Sequence, residues 1–583
     1  MDYEMLVYCY DSLDKTTKRL EKTSIIAKLL EKTGKDDIKK IIYLLQGSVF
    51  PQWDERVLGM SSMLVIKTLS SATGISKDKV ERLWKKEGDL GIAAELLVGN
   101  TKQKTLMQNK LTVDVVFNTL RKISELTGKG SVNKKVQIIS MLLSNATPLE
   151  ARYIVRTVLN TLRVGIAEGS IRDAITWAFF NDEIKLRYDE HENTFEVDRK
   201  VYNEYIDCVQ AAYNVTNDYG EVALTAKTKG IVGLKEVKIE VGKPINPMLA
   251  IRVESVDEAL DALGKPVLCD LKLDGFRLII HRNGNEFWLY TRRLENVTKQ
   301  FAEIIPMFRE HVKGSSYIID SEVVGYDPKT GKYLPFQAMS QRIKRKYDIE
   351  KIAKEIPVEV NIFDILFYEN RSMMERTQEE RRELLEKIVK EIPKKIVLTR
   401  KIVTDDPKRI QKFFDNAIKR GLEGVMIKSL STKYVSGRKV GGWVKLKTIL
   451  ETLDLVIVGA DYGEGKRART LSSYTVACRD KNKLLVLGKV STGIKEKEGD
   501  FTYEEMTKML KPLIIEDLGK HVKVKPNIVI EVSYEEIQES PTYDSGFALR
   551  FPRVLRIRLD RGIKDINTIG DIKRIYDSQR GKS

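Results

Sequence analysis

The sequence predicts a multidomain α+β protein: an all-helical N-terminal domain, a mixed α/β central domain and a C-terminal β-barrel. Three observations carry this expectation. Apolar residues recur at helical spacing through residues 1–240, strand-like and helix-like segments alternate through 241–447, and short strands dominate 448–583. A chain of 583 residues also exceeds what one hydrophobic core supports.

The helical spacing is clear in Leu20, Ile25, Ile26, Leu29 and Leu30, and again in Ile154, Val155, Val158, Leu159 and Leu162. Breakers such as "TGKDD", "TGKGS" and "SNATPLE" separate the helices. In "TLRVGIAEGSIRDAI", Thr161 to Ile175, Arg163, Gly165 and a helix start come together, so a guanidinium and backbone amides could meet a phosphate. A helix end followed by a new helix explains the same residues, and both readings stand. "VGKPINPMLA", with two prolines close together, marks the boundary near residue 241.

In the central region "SYIIDSEVVGYD" and "VEVNIFDILFYEN" read as strands, and "RTQEERRELLEKIVKEI" and "PKRIQKFFDNAIKRG" as helices. Beyond 448 the strands "LDLVIVGADYG", "SSYTVACRD", "KLLVLGKVST" and "NIVIEVSYEEI" fit a small barrel of the oligonucleotide-binding (OB) type.

Composition narrows the function. The chain is 42% hydrophobic and 31% charged, and no window approaches the apolar span of a membrane helix. The N-terminus carries acids early and lacks a basic-then-apolar signal, so a cytoplasmic protein with no membrane partner is expected. A net charge of +17 points to a polyanionic partner, nucleic acid ahead of membrane. Cys9, Cys208, Cys269 and Cys478 form neither a disulfide framework nor a C-x-x-C zinc pair. The four histidines lie far in sequence from any nucleophile, which disfavours histidine-based catalysis.

The chemistry centres on "VLCDLKLDGFRLIIH". It reads as a β-hairpin turning at Asp274-Gly275, with Lys272 at the end of a largely buried strand. The K-x-D-G pattern alone would arise by chance in roughly one chain in five of this length. Its weight comes from an ordered set of islands downstream: Arg277, Arg292, Glu322, Phe363, "EGVMIK" with Glu423, "WVKLK" with Lys445 and Lys447, and "RFPR" with Arg550 and Arg553. A strand Phe is usually core and a K-x-K usually a solvated edge; the ordered set outweighs these readings of its single members.

These islands resemble the motifs of ATP-dependent DNA ligases, and nearly the whole chain is similar to the archaeal and eukaryotic-type replicative enzymes. "TLRVGIAEGSIRDAI" is similar to the signature of their DNA-binding domain, "GKPINPMLA" to its exit into the adenylation domain, and "SGFALRFPR" to the closing motif of the barrel. The resemblance implies a DNA-binding domain over 1–240, a nucleotidyltransferase (adenylation) domain over 241–447 and an OB-fold domain over 448–583. It implies a monomer that closes round nicked double-stranded DNA and seals it through a lysyl-AMP intermediate on Lys272 and then a DNA-adenylate.

An amine that attacks phosphorus must be deprotonated, which apolar flanks and a nearby cation such as Arg277 favour. The family's motifs place Arg277 and Arg292 on ribose and phosphate, stack Phe363 on adenine and point Lys445 and Lys447 at the α-phosphate. Arg550 and Arg553 would orient pyrophosphate. Glu322 and Glu423 look like the carboxylates that hold Mg²⁺, or Mn²⁺, or orient the ribose. Gly275 would let the turn approach the nucleotide closely, and Arg163 and Gly165 would contact DNA.

The sequence departs from the family at Asp270, where many relatives carry Glu, and at Lys439, where an arginine is frequent and Arg438 stands beside it. "QKTLMQN" resembles a sliding-clamp-binding box at Gln103 to Met107, without its aromatic pair. Capping guanylyltransferases and RNA ligases share K-x-D-G chemistry but typically lack a long helical domain. NAD⁺-dependent relatives carry a zinc site absent here. A scaffold with a dead transferase site is disfavoured by intact Lys272, Glu322, Glu423 and Lys445.

Overall fold

The computed structural model describes the chain except residues 55, 101–109, 335–337, 340–341, 344–348, 438–439, 448–450, 464–466, 468–469, 495–501 and 580–583. The clamp-box residues Gln103 to Met107, and Arg438 and Lys439, therefore lie outside the described residues.

Helices run from Tyr3–Lys15 to Tyr219–Lys235, interrupted by a two-stranded ribbon of Arg187–Asp189 and Thr194–Glu196. The breakers act where their chemistry predicts. In "SNATPLE" one helix ends at Ser144 and the next, Pro148–Val158, opens with Pro148 in its first turn. Thr147 accepts from the Glu150 amide and Glu150 reaches back to the Thr147 amide, a capping box that satisfies two otherwise orphaned donors. Leu6, Tyr10, Ile42, Ile154 and Ile175 are buried in one continuous helical core.

The central region is two sheets facing each other. The first runs in the order Lys401–Thr404, Val267–Lys272, Gly424–Ser429, Val440–Lys447, Leu249–Val253. The second runs Ile396–Leu398, Val358–Tyr368, Ser316–Gly325, Phe276–Asn283, Glu286–Thr291, with Arg371–Ser372 pairing Val358–Tyr368. Helices Val256–Leu263 and Pro407–Lys419 pack Val256, Leu260 and Ile410 on the first sheet. Helices Ile304–His311 and Gln378–Ile388 pack Phe308 and Leu385 on the second. Between the sheets Ile279, Ile318 and Leu366 meet Tyr434 and Trp443.

This arrangement corrects the expected hairpin. Val267–Lys272 pairs with Lys401–Thr404 and Gly424–Ser429, whereas Phe276–Asn283 pairs with Glu286–Thr291 and Ser316–Gly325. The Asp-Gly turn carries the chain from one sheet to the other instead of folding it back on itself. Gly275 is needed at that crossing because a Cβ would lie 2.4 Å from the Val323 carbonyl oxygen. The close approach is to protein backbone.

The C-terminal region is β-rich. Its main sheet orders Lys483–Val490, Leu471–Asp480, Leu453–Tyr462, His521–Val524 and Ile514–Asp517, and Val529–Ser533 joins Leu453–Tyr462 to Arg553–Ile557. Leu455, Val476, Leu487 and Ile530 fill its interior, closed by helices Tyr503–Leu510 and Ile569–Ser578 through Met506 and Ile572.

Candidate active site

The cleft between the two central sheets gathers most of the residues singled out from sequence. On the first sheet, register places Lys272, Gly424 and Lys447 in one cross-strand row and Asp270, Met426 and Lys445 in the next. Cross-strand partners and residues two apart share a face, so both rows present their side chains to the same side. Gly424 is required in this row: its φ is +144° and a Cβ would stand 2.1 Å from the Leu446 carbonyl oxygen.

Glu423 bridges the lysines. Lys272 Nζ donates to its Oε2, and Lys447 Nζ lies 2.7 Å from its Oε1. Burial alone would raise this carboxyl, but the adjacent Lys272 and Lys447 hold it down to about 2. Lys447 also reaches Glu535 of the C-terminal region at 3.3 Å. Lys445, half-buried beside Lys447 and Lys272, has its pKa lowered by desolvation and by those two cations. Three lysines thus surround one carboxylate, a site with surplus positive charge.

On the facing sheet Arg277 and Glu322 are cross-strand partners. Glu322 is half-buried, and desolvation together with Glu423 and Asp320 raises its pKa to about 8 against the pull of Lys272 and Arg277. Near neutral pH its protonated form is therefore favoured, and higher pH or added positive charge favours the carboxylate.

Arg277 is committed to protein. Its guanidinium forks onto the fully buried Asp320, donates to the Met248 carbonyl at 2.6 Å and to the Tyr434 hydroxyl at 3.2 Å. Tyr434 in turn donates to Asp320 at 3.0 Å and accepts from the Met248 amide. Burial lowers a guanidinium's pKa, but Asp320 outweighs it and pushes that of Arg277 upward. Its guanidinium carbon lies over the Phe363 ring, 5.4 Å from the centroid.

Phe363 is half-buried, with Lys428 5.0 Å from its ring on the floor of the cleft. Lys428 lies 2.6 Å from Asp270, and both side chains are only 2% exposed. Trp443 sits edge-on to Phe363 and donates its indole N–H to Gln378. A flat apolar ring beside one buried carboxylate is a setting that suits a planar heterocycle with an amino edge.

Arg550 approaches from the C-terminal region, 3.9 Å from Asp274 and 3.1 Å from Glu536. Arg292 is exposed at the end of Glu286–Thr291, with no contact to the cleft among the described residues. Arg163 and Gly165 lie apart, in the helical region, on a cleft of about 250 Å³. Sequence reasoning missed Asp320, Lys428, Trp443 and Tyr434 as site residues. Asp320 stands two before Glu322, so period-two alternation could have found it, and Lys428 closes the quoted "EGVMIK"; nothing local marks Tyr434.

Fold and cleft together define the class: a multidomain enzyme built round a nucleotidyltransferase core. Comparison with known proteins makes this specific. Residues 247–447 match the ATP dependent DNA ligase domain, 2–176 the DNA ligase N terminus and 467–561 the ATP dependent DNA ligase C terminal region. The chain is 48% identical to the DNA ligase of Nanoarchaeum equitans, covering 100% of this chain and 99% of that one. It is 40% identical to the DNA ligase of Methanopyrus kandleri, covering 99% of each. The solved structure called Pmar-Lig_Pre shares the fold at a TM-score of 0.53 and 16% identity, over 95% of this chain and 99% of that one. The chain belongs to the ATP-dependent DNA ligase family.

Proposed function

We propose that Lys272 is the nucleophile of a ligase that seals nicks in duplex DNA. The observation that carries this reading is the meeting of Lys272, Glu423, Lys445 and Lys447 on one sheet with Glu322 and Phe363 on the other. Domain limits of 1–240, 241–447 and 448–583 fit it, as DNA-binding, adenylation and OB-fold units.

In the first step Lys272 Nζ gives up a proton and forms a P–N bond to the α-phosphorus of ATP, and the P–O bond to pyrophosphate breaks. Phe363 stacks on the adenine, and Asp270 accepts from its amino edge. Lys445 and Lys447 neutralise the α-phosphate, and Arg550 meets the departing pyrophosphate, with Lys439 and Arg292 supplying further phosphate contacts. In the second step a 5′-phosphate oxygen at the nick takes AMP and the P–N bond breaks. In the third the 3′-hydroxyl attacks that 5′-phosphate and AMP leaves.

Glu322 and Glu423 fit a divalent cation, Mg²⁺ or Mn²⁺: a cation would favour the ionised form of Glu322, and two carboxylates plus substrate phosphates are a donor set suited to Mg²⁺. Such an ion supplies charge neutralisation on phosphate oxygens. Arg163 and Gly165 contact the DNA backbone, and Gln103 to Met107 dock on a sliding clamp. The enzyme acts as a monomer in the cytoplasm. Among the described residues no helix is long and apolar enough to cross a membrane.

The test is intact-protein mass after incubation with ATP and Mg²⁺. The nucleotide-free enzyme should gain one AMP and lose it on adding nicked DNA, whereas Lys272→Ala should gain none. AMP gained by Lys272→Ala would refute the assignment.

A further inference from the structure

Lys22 sits in the helix Arg19–Lys32, far in sequence from the loop that joins Pro148–Val158 to Glu168–Phe179. It is 6% exposed, and its Nζ donates to the carbonyl oxygens of both Val164 and Gly165, the latter at 3.1 Å. Consecutive carbonyls drawn to one buried amine fix two peptide planes. In a trans peptide the N–H points opposite to the C=O, so the amides of Gly165 and Ile166 face away from Lys22. Among the described residues no acceptor meets either N–H. Both residues line the cleft of about 250 Å³ that Arg163, Gln46 and Gln52 also line.

The loop is held in an uncommon shape. Arg163 has φ +60° and Gly165 φ +64°, and a Cβ on Gly165 would stand 2.8 Å from Lys22 Nζ. Alternation of left-handed and ordinary residues is how successive amides are made to converge on an anion. Arg163 is 36% exposed and leans on Asp89 at 3.3 Å, which is itself fixed by capping the helix Leu90–Gly99. Glu168 lines the same cleft, so the attraction for an anion has to come from the two amides and Arg163.

We propose that Lys22 is a positioning residue for DNA: it orients the Gly165 and Ile166 amides so that, with Arg163, they hold one backbone phosphate of the nicked duplex. This rests on the reading that Arg163 and Gly165 contact DNA. Lys22 does not touch the phosphate; it acts through the loop.

Full-length K22M, K22R and R163A are converted to the lysyl-AMP form, which selects folded adenylation domain, and titrated with nicked duplex across a salt series. K22M should bind about tenfold more weakly, and its slope of log affinity against log salt should fall by about 0.9, one phosphate contact. K22R, whose guanidinium can serve both carbonyls, should recover most of the affinity. K22M equal to wild type while R163A is weakened overturns the role of Lys22 and leaves the DNA-contact reading standing. R163A equal to wild type overturns that reading itself. K22M and K22R equally weak, with the helical region melting early in both, would reduce Lys22 to a structural role and also overturn the proposal. If K22M does not fold, G165A carries the test with Lys22 intact, and unchanged nick affinity there refutes it.

Discussion

Lys272 and Glu423 are joined twice: the lysine side chain donates to the glutamate carboxylate, and the Glu423 amide donates to the Lys272 carbonyl at 3.0 Å. Their side chains are 22% and 12% exposed, so the pair is partly desolvated and its backbone link fixes where the amine can go. The sheet sets the position of the amine, and the carboxylate sets its direction.

Glu423 should therefore stabilise the fold in a pH-dependent way. Its folded pKa of about 2 lies below the ordinary value of 4.5, so the stabilisation is complete above pH 4.5 and is lost as pH falls toward 2. Glu423→Gln should lower stability at pH 7 by about 3 kcal/mol at most. Denaturant melts of both proteins from pH 7 downward should show the gap closing below pH 4.5.

Glu322 has the opposite sign. Its folded pKa of about 8 lies above the ordinary 4.5, so its contribution is present below pH 4.5 and is lost as pH rises through 8. Glu322→Gln should equal or exceed wild type in stability at pH 8. Because the ionised carboxylate is the form that attracts a cation, the rate of lysyl-AMP formation at limiting Mg²⁺ should rise up to about tenfold per pH unit below pH 8. Because Lys272 must also lose a proton, both proteins should speed up with pH, but only the wild type should need less Mg²⁺ as pH rises toward 8; the same Mg²⁺ dependence at every pH in Glu322→Gln and wild type would exclude the assignment.

The Asp320–Arg277–Tyr434 network predicts a graded series. Asp320→Ala strands a buried guanidinium and should cost about 3–5 kcal/mol. Tyr434→Phe removes one hydroxyl from the network and should cost about 1–3 kcal/mol. Arg277 would then lean less firmly on Phe363, so the KM for ATP should rise more than kcat falls. Thermal melts and single-turnover adenylation measure both effects.

With +17 net charge, the phosphate-dominated grip expected of this chain predicts that log nick affinity falls linearly with log salt. A flat response would contradict an encircling clamp. Equal affinity for nicks of different flanking sequence is expected alongside it.

The layout of three structural zones was legible because helical and alternating periods differ so plainly: Ile154 to Leu162 and "SYIIDSEVVGYD" could hardly be exchanged. Lys272, Glu423, Lys445 and Lys447 were legible as an ordered set, and register explains why they meet. The sheet assignment after Lys272 was not legible, because an Asp-Gly step reads the same whether the chain folds back or crosses over. The pairing of each strand with distant partners decides it: Val267–Lys272 with Lys401–Thr404 and Gly424–Ser429, Phe276–Asn283 with Ser316–Gly325. The commitment of Arg277 to Asp320 and Tyr434 was hidden for the same reason: its partners lie 43 and 157 residues away.

The crossing at residues 273–275 has a mechanical consequence. Lys272 ends a strand on one wall and Phe276 begins a strand on the other, so a strap of three residues ties the walls together at the nucleophile. Fully stretched, such a strap spans roughly 14 Å. The cleft is therefore bound like a book: its walls stay close at the spine beside Lys272. The C-terminal region meets the cleft at this same spine: Arg550 lies 3.9 Å from Asp274 within the strap, and Glu535 lies 3.3 Å from Lys447 in the cross-strand row of Lys272.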